Sequence, residues 1–219
     1  MFDEKTLTVH KMIIHSIRRR ANRMLWAQES LASDIEVQKS FPKIIQQESQ
    51  KIVELTNKLQ GLGETLDNIV EEINFSELLA KIVDEHLEDA NMRNIQLSYE
   101  IADGVFLTGD SLAIELAIES LIDNALKYTS AGGKIFVKSS QPADLSIVEI
   151  NDTGIGIPAD ELPRIFESNY RASNARDFAT GSGLGMKLAQ SIINNMNGDI
   201  NVTSTLGKGT NILVTFRRE

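Results

Sequence analysis

The sequence predicts an α+β chain in two parts. A helical hairpin forms a four-helix bundle with a second copy, and an α/β sandwich follows. Three observations carry this. Residues 5–33 contain no Pro or Gly and place Leu7, His10, Ile14, Ile17, Ala21, Met24, Gln28 and Leu31 at alternating spacings of three and four. That is the seam of a bundle or coiled coil. The pattern repeats at Ile45, Glu48, Ile52, Leu55, Leu59, Leu62, Leu66 and Ile69. From about residue 72 the period changes, and short alternating runs mix with helical ones, the mark of a layered α/β domain.

The first helix is expected to break around Ser33 to Pro42, with Pro42 in the first turn of the second helix, where its missing N–H costs nothing. Gly61 and Gly63 interrupt the second helix's propensity but not its periodicity. Two long helices joined by a short loop make an αα-hairpin. One hairpin cannot cover both seams, so a homodimer is expected. The boundaries read as 1–71 for the dimerising hairpin and 72–219 for the second domain.

In the second domain, Asn74-Phe75-Ser76-Glu77 reads as a helix start with Ser76 as cap, running towards Asn91. Strands are expected at Ile95 to Ile101 and Val105 to Leu107. Asp110 is expected to cap a helix from Ser111 to Tyr128. Gly132-Gly133 turns into a strand at Lys134 to Ser139, and Leu145 to Ile150 alternates as another. A helix over Leu184 to Asn197 ends at Gly198. Strands Ile200 to Ser204 and Thr210 to Phe216 flank the Gly207-Lys208-Gly209 turn.

Hydrophobic residues make up 42% and charged residues 24%, as in soluble globular proteins. Without cysteine there is neither a disulfide nor a thiolate metal site, and three scattered histidines do not suit structural zinc. A net charge of −9 argues against nucleic-acid binding. No apolar run reaches membrane-span length and no signal peptide follows Met1. The expectation is a cytoplasmic chain, either by itself or as the cytoplasmic part of a longer membrane receptor. Residues 1–33 carry Lys5, Lys11, Arg18, Arg19, Arg20 and Arg23 against Asp3, Glu4 and Glu29. This basic cluster is either a solvated helix face or a docking surface for an acidic partner.

The most informative stretch is Asn151-Asp152-Thr153-Gly154-Ile155-Gly156-Ile157-Pro158, directly after a strand. A carboxylate at a strand end can accept a hydrogen bond from an exocyclic amine or hold a metal, and glycines let backbone approach a ligand. Asp-x-Gly-x-Gly alone is equally turn chemistry. Other stretches accompany it in order: Ser120 to Thr129 (SLIDNALKYT) upstream, then Arg164 to Arg171 (RIFESNYR), Gly181 to Leu188 (GSGLGMKL) and Gly207-Lys208-Gly209-Thr210. The ordered set resembles the Asn box, first glycine box, Phe box, second glycine box and terminal Gly-x-Gly-Thr of the GHKL ATP-binding fold, in its sensor histidine kinase branch. The resemblance covers roughly residues 72 to 219.

The resemblance implies ATP and Mg2+ as cofactors. It implies that Asp152 takes the adenine amine, with Gly154 and Gly156 admitting the ring and Thr210 flanking it. It implies Asn124 as the magnesium ligand, an amide oxygen suited to a hard cation. Lys127 would neutralise phosphate charge, Tyr128 would lie along the nucleotide, and Arg171 would face the phosphates. Residues 167–180 read as a mobile polar lid, ending in Gly181, Ser182, Gly183, Leu184 and Gly185, where backbone N–H groups at a helix start favour phosphate. Two positions depart from the family pattern. Ser120 stands where the family has a second Asn, or in hydrolysing relatives a Glu; Glu119 is turned about 100° away on the helix. Asn169 replaces the second aromatic of the Phe box.

The resemblance also implies a phosphoacceptor histidine on the first bundle helix. The best match is His15-Ser16-Ile17-Arg18-Arg19-Arg20, in which His15 is turned about 100° from the seam. Ser16 replaces the family's acid, Arg19 its Thr or Asn, and Arg20 its proline. His10 lies on the seam and suits packing; His86 reads as structural or exposed. The implied activity is a protein-histidine kinase core that phosphorylates itself at His15 and passes the phosphate to the aspartate of a response-regulator receiver domain. The alternative is a nucleotide-binding dimeric scaffold that has lost phosphotransfer. A third reading, a kinase for serine on a protein partner, sits poorly with the dimerising hairpin.

Overall fold

The computed structural model describes residues 71–179, 183 and 185–217 (Asp177 by its backbone alone), with Ile13, Ile17, Arg20, Ala21, Met24, Phe41, Pro42, Ile45, Gln46, Ser49 and Ile52 of the first part. The chain divides into two compact units, Met1–Asp67 and Asn68–Glu219.

In the first unit every described residue is helical, on both sides of the expected break, as befits a helical hairpin. Ile17, Ala21 and Met24 are half-buried, as are Ile45 and Ile52 of the second arm. One correction concerns the first arm. Ile13 is 1% exposed and Arg20 4%. Ile13, Ile17, Arg20 and Met24 follow a four-three-four spacing, so the covered face runs through Arg20. Arg20 therefore leaves the exposed basic cluster. Pro42 is helical. The remaining seam residues lie outside the described residues.

The second unit is a two-layer sandwich. Strand β1 (Glu71–Asn74) pairs antiparallel with β3 (Phe106–Gly109) as a small separate sheet. The main sheet has the order β2-β4-β5-β7-β6, with β2 (Gln96–Glu100), β4 (Lys134–Ser140), β5 (Leu145–Asp152), β6 (Asp199–Thr205) and β7 (Gly209–Arg217). Only β2–β4 is parallel. Burial alternates along the strands: Ile135 and Val137; Val148 and Ile150; Ile212, Val214 and Phe216. One face is covered and the other is solvated, as the period of two requires.

Helices α1 (Phe75–Met92), α2 (Ser111–Tyr128) and α4 (Gly185–Asn195) form the second layer. In α1 the buried set Phe75, Leu79, Ile82, Val83, His86 and Ala90 makes one stripe. Phe75 meets Phe216 of β7 edge to face, with centroids 5.9 Å apart. The cap of α1 is Asn74, whose side chain accepts from the Glu77 N–H. The expected cap, Ser76, instead links α1 to the loop before β3: its hydroxyl donates to Ala102 O (2.7 Å) and accepts from Val105 N–H (2.9 Å). Asp110 caps α2 as expected, accepting from Leu112 and Ala113 N–H. Helix α4 stops two residues earlier than expected. Asn197 turns left-handed (φ 55°) and the Gly198 N–H closes on Ile193 O at 2.9 Å, which satisfies a terminal carbonyl.

Candidate functional site

The site begins where the covered sheet face meets the strand ends. Asp152 is the last inward position of β5, after Ser146, Val148 and Ile150. Strand register sets it between Ile135 of β4 and Thr210 of β7, and Thr210 pairs with Ser204 of β6. This row is the floor. Asp152 is 7% exposed. Its Oδ1 accepts from Gly154 N–H (2.8 Å) and Thr210 N–H (3.2 Å). Among the described residues its Oδ2 has no hydrogen-bond partner and no Lys or Arg pairs with it. Burial pushes its pKa up, and the two N–H donors partly offset this. The result is a fixed, uncompensated acceptor at the mouth.

The glycine loop after Asp152 packs too tightly for side chains. A Cβ at Gly154 would stand 2.3 Å from Tyr128 O, the last residue of α2. The Ile155 N–H donates to that same carbonyl at 3.0 Å. Gly156 has φ +64°, and a Cβ there would meet Thr205 O at 2.1 Å, so only glycine fits. The Ile157 N–H donates to Ser204 Oγ (2.9 Å), which also contacts Thr210 Oγ1 (2.9 Å). Ser204 was not among the expected site residues. Cross-strand register placed it here, and that register is invisible in a single sequence.

Across from the floor, α2 packs on α4. A Cβ at Gly185 would stand 2.7 Å from Ser120 Oγ and 3.3 Å and 3.6 Å from the Asn124 amide atoms. Asn124 and Ser120, one turn apart, therefore face the end of the second glycine box. Glu119 does not. It is 3% exposed and gathers with Glu85 and Glu115 within 4.8 Å, on the α1 side. Lys81 Nζ lies 3.7 Å from Glu115 and 3.9 Å from Glu85, so this acidic group already has its cation. Lys127 Nζ lies 5.0 Å from the Tyr128 ring centroid. His86 is buried, with Nδ1 2.6 Å from Ile82 O and Nε2 3.3 Å from Asp123 Oδ1, a structural position between α1 and α2.

The expected polar lid is partly helical. A 3-10 turn at Leu162–Arg164 precedes it, and α3 (Ser173–Phe178) lies within it. Polar composition hid this short helix, which side-chain bonds assemble. Glu161 accepts from the Tyr170 hydroxyl (2.8 Å) and from both the N–H (2.7 Å) and hydroxyl of Ser173. These bonds, Ser173 foremost, hold the Glu161 pKa below the usual carboxylate range. Asn174 Nδ2 donates to Gly156 O at 2.8 Å. Arg171 Nη2 donates to Ala175 O (2.6 Å) and Ala179 O, while its Nε is buried without a partner. Asn169, at the missing aromatic, takes φ 62°. Asn tolerates this left-handed conformation far better than an aromatic. A Cβ at Gly183 would stand 2.4 Å from Tyr170 O, so the second glycine box runs against the Phe box.

The structure thus brings Asp152, Gly154, Gly156, Thr210 and Tyr128 together, and Asn124 to Gly185. Arg171 engages the carbonyls of Ala175 and Ala179 in the neighbouring lid helix and its cap. His15, Gly181 and Leu184 lie outside the described residues, as do Ser16, Arg18 and Arg19. Among the described residues no helix is long and apolar enough to cross a membrane.

The second unit resembles known proteins. Residues 109–219 match the family model for histidine kinase-, DNA gyrase B- and HSP90-like ATPases. The chain is 36% identical to the sensor histidine kinase RppB of Synechocystis sp. over 137 residues, 62% of this chain and 30% of the relative. It spans about a third of the length of the first curated relatives it matches. The mycobacterial sensor histidine kinase MprB superposes with a TM-score of 0.59 at 23% identity, covering 68% of this chain and 97% of that one. Full-length ShkA, solved with AMPPNP, gives 0.61 at 18% identity over 95% of this chain and 46% of its own. The folded floor, the glycine loop on α2 and the matched family together make this chain a member of the histidine kinase-, DNA gyrase B- and HSP90-like ATPase family, carrying a histidine kinase catalytic core with a GHKL-type ATP-binding domain.

Proposed function

We propose that the chain is an ATP-dependent protein-histidine kinase core: residues 72–219 bind ATP, and residues 1–71 dimerise and carry the phosphoacceptor His15. The observation that carries it is Asp152, a buried carboxylate with a free Oδ2 at the strand ends. An exocyclic amine donates to such an acceptor, and Thr210 and the Gly154–Gly156 backbone would flank the ring. Asn124, beside Gly185, fits a magnesium ion with its amide oxygen. Such an ion would offset phosphate charge. The buried, partnerless Arg171 Nε fits a phosphate oxygen, and Lys127 adds charge. Gly181, Gly183, Leu184 and Gly185 would supply backbone N–H groups, and Tyr128 would border the nucleotide.

In the reaction the His15 imidazole nitrogen attacks the γ-phosphorus. The bond to the β–γ bridging oxygen breaks, ADP leaves with that electron pair, and the imidazole proton passes to solvent, because Ser16 offers no base. A receiver-domain aspartate then takes the phosphoryl group, with Arg18, Arg19 and Arg23 meeting its acidic surface. The protein would act in the cytoplasm and bind no nucleic acid. Ser16 and Arg19 favour a second reading, the nucleotide-binding dimeric scaffold without phosphotransfer. Labelling with γ-labelled ATP and magnesium separates the two. Acid-labile, base-stable label absent from His15→Ala supports the kinase. Intact ATP binding with no label supports the scaffold.

A further inference from the structure

The lid helix holds a second buried polar atom without a partner besides Arg171 Nε, namely Asn174 Oδ1. The other end of that amide is engaged, with Nδ2 donating to Gly156 O at 2.8 Å. Gly156 stands in the loop that follows the Asp152 floor, packed so close to Thr205 that a side chain would not fit. Among the described residues this is the sole side-chain hydrogen bond from α3 to that loop. Arg171, three residues earlier and just before α3, bonds the carbonyls of Ala175 in that helix and Ala179 at its end. Arg171 also lies only two residues before the start of α3, so a shift of the helix carries its backbone along whether or not those bonds persist. The tether runs one way, because a carbonyl only accepts. An N–H at position 174 holds it, and a carboxylate there would face oxygen with oxygen.

We infer that Asn174 is a positioning residue that registers the lid on the adenine loop, so that one amide sets where Arg171 stands relative to the phosphates. The inference rests on the nucleotide-binding reading above. Nothing in the nearby motifs requires Asn at this position. The chemistry asks only for a short donor at the second position of a six-residue helix.

The test uses the full chain. ATP and adenosine affinities are measured for the unaltered protein, Asn174→Asp, Asn174→Ala and Asp152→Ala, together with tryptic cleavage after Arg176 with and without ATP. Loss of one hydrogen bond predicts ATP affinity about 3- to 10-fold weaker in both Asn174 variants, with adenosine affinity within about twofold. ATP should protect the Arg176–Asp177 bond in the unaltered protein and not in Asn174→Asp, with melting midpoints unchanged. Equal weakening of ATP and adenosine, or unchanged affinity with protection retained, overturns the inference. If the unaltered protein binds neither ligand, or Asp152→Ala binds ATP normally, the nucleotide reading itself fails.

Discussion

The two halves of the site are built differently. The floor rests on strand register. Asp152, Thr210 and Ser204 occupy one inward row, and the backbone of β5 and β7 fixes each of them. The lid rests on side chains. Glu161, Asn174 and Arg171 assemble a six-residue helix through six side-chain bonds, all of them exposed or half-buried. A floor made of ladder opens only with the domain, whereas a lid made of exposed bonds opens at little cost. That difference suits a nucleotide whose base is held steadily while its phosphates enter and leave.

The largest expected effect lies on the floor. Asp152→Ala should weaken ATP roughly 10- to 150-fold by calorimetry, the range for a hydrogen bond to a charged group. Gly154→Val should abolish ATP binding as well, because its side chain meets Tyr128 O, and should lower stability by about 1–3 kcal/mol. Lid changes of comparable size would erase the contrast between the halves.

Acidity sharpens it with opposite signs. Burial raises the Asp152 pKa, so in the ligand-free fold the ionised form is disfavoured. Its effect on stability is absent below the ordinary carboxylate range and grows as pH rises through its raised pKa. Asp152→Asn should therefore melt higher than the unaltered protein at neutral pH while losing ATP, and the gap should close below about pH 4. A variant that melts lower at neutral pH contradicts this. Glu161 runs the other way. Its lowered pKa means its contribution is present above the ordinary range and is lost as pH falls through the depressed value. The Ser173 amide proton shift should follow Glu161 protonation on acidification, and Glu161→Ala should remove that pH dependence. The smallest effect is remote from both halves. Asp110→Ala removes the α2 cap and should cost about 1 kcal/mol in thermal unfolding, with ATP affinity unchanged.

Legibility followed the same division. Strand alternation and the Asp110 cap placed β4 to β7 and α2 within a residue or two, because period and capping are local chemistry. Asp152, Gly154, Gly156 and Thr210 were singled out through the resemblance of the ordered motifs, since the glycine spacing alone reads equally as turn chemistry. Ser204 was not, since it joins the floor through pairing between β6 and β7. Nor was α3, whose Ser-Asn-Ala-Arg run has no apolar stripe and depends on Glu161, twelve residues from Ser173. In the first arm the structure also buries Ile13 and Arg20, beside the expected seam. A basic side chain on the covered face breaks the hydrophobic pattern that sequence reading follows.

The most direct measurement is a crystal structure of the full chain with a non-hydrolysable ATP analogue and magnesium. The account predicts the base amine on Asp152 Oδ2, the ion on Asn124, and Arg171 turned from the carbonyls of Ala175 and Ala179 onto the phosphates, with the Asn174–Gly156 bond retained. A base bound away from Asp152, or phosphates that leave Arg171 on the carbonyls of Ala175 and Ala179, would contradict it.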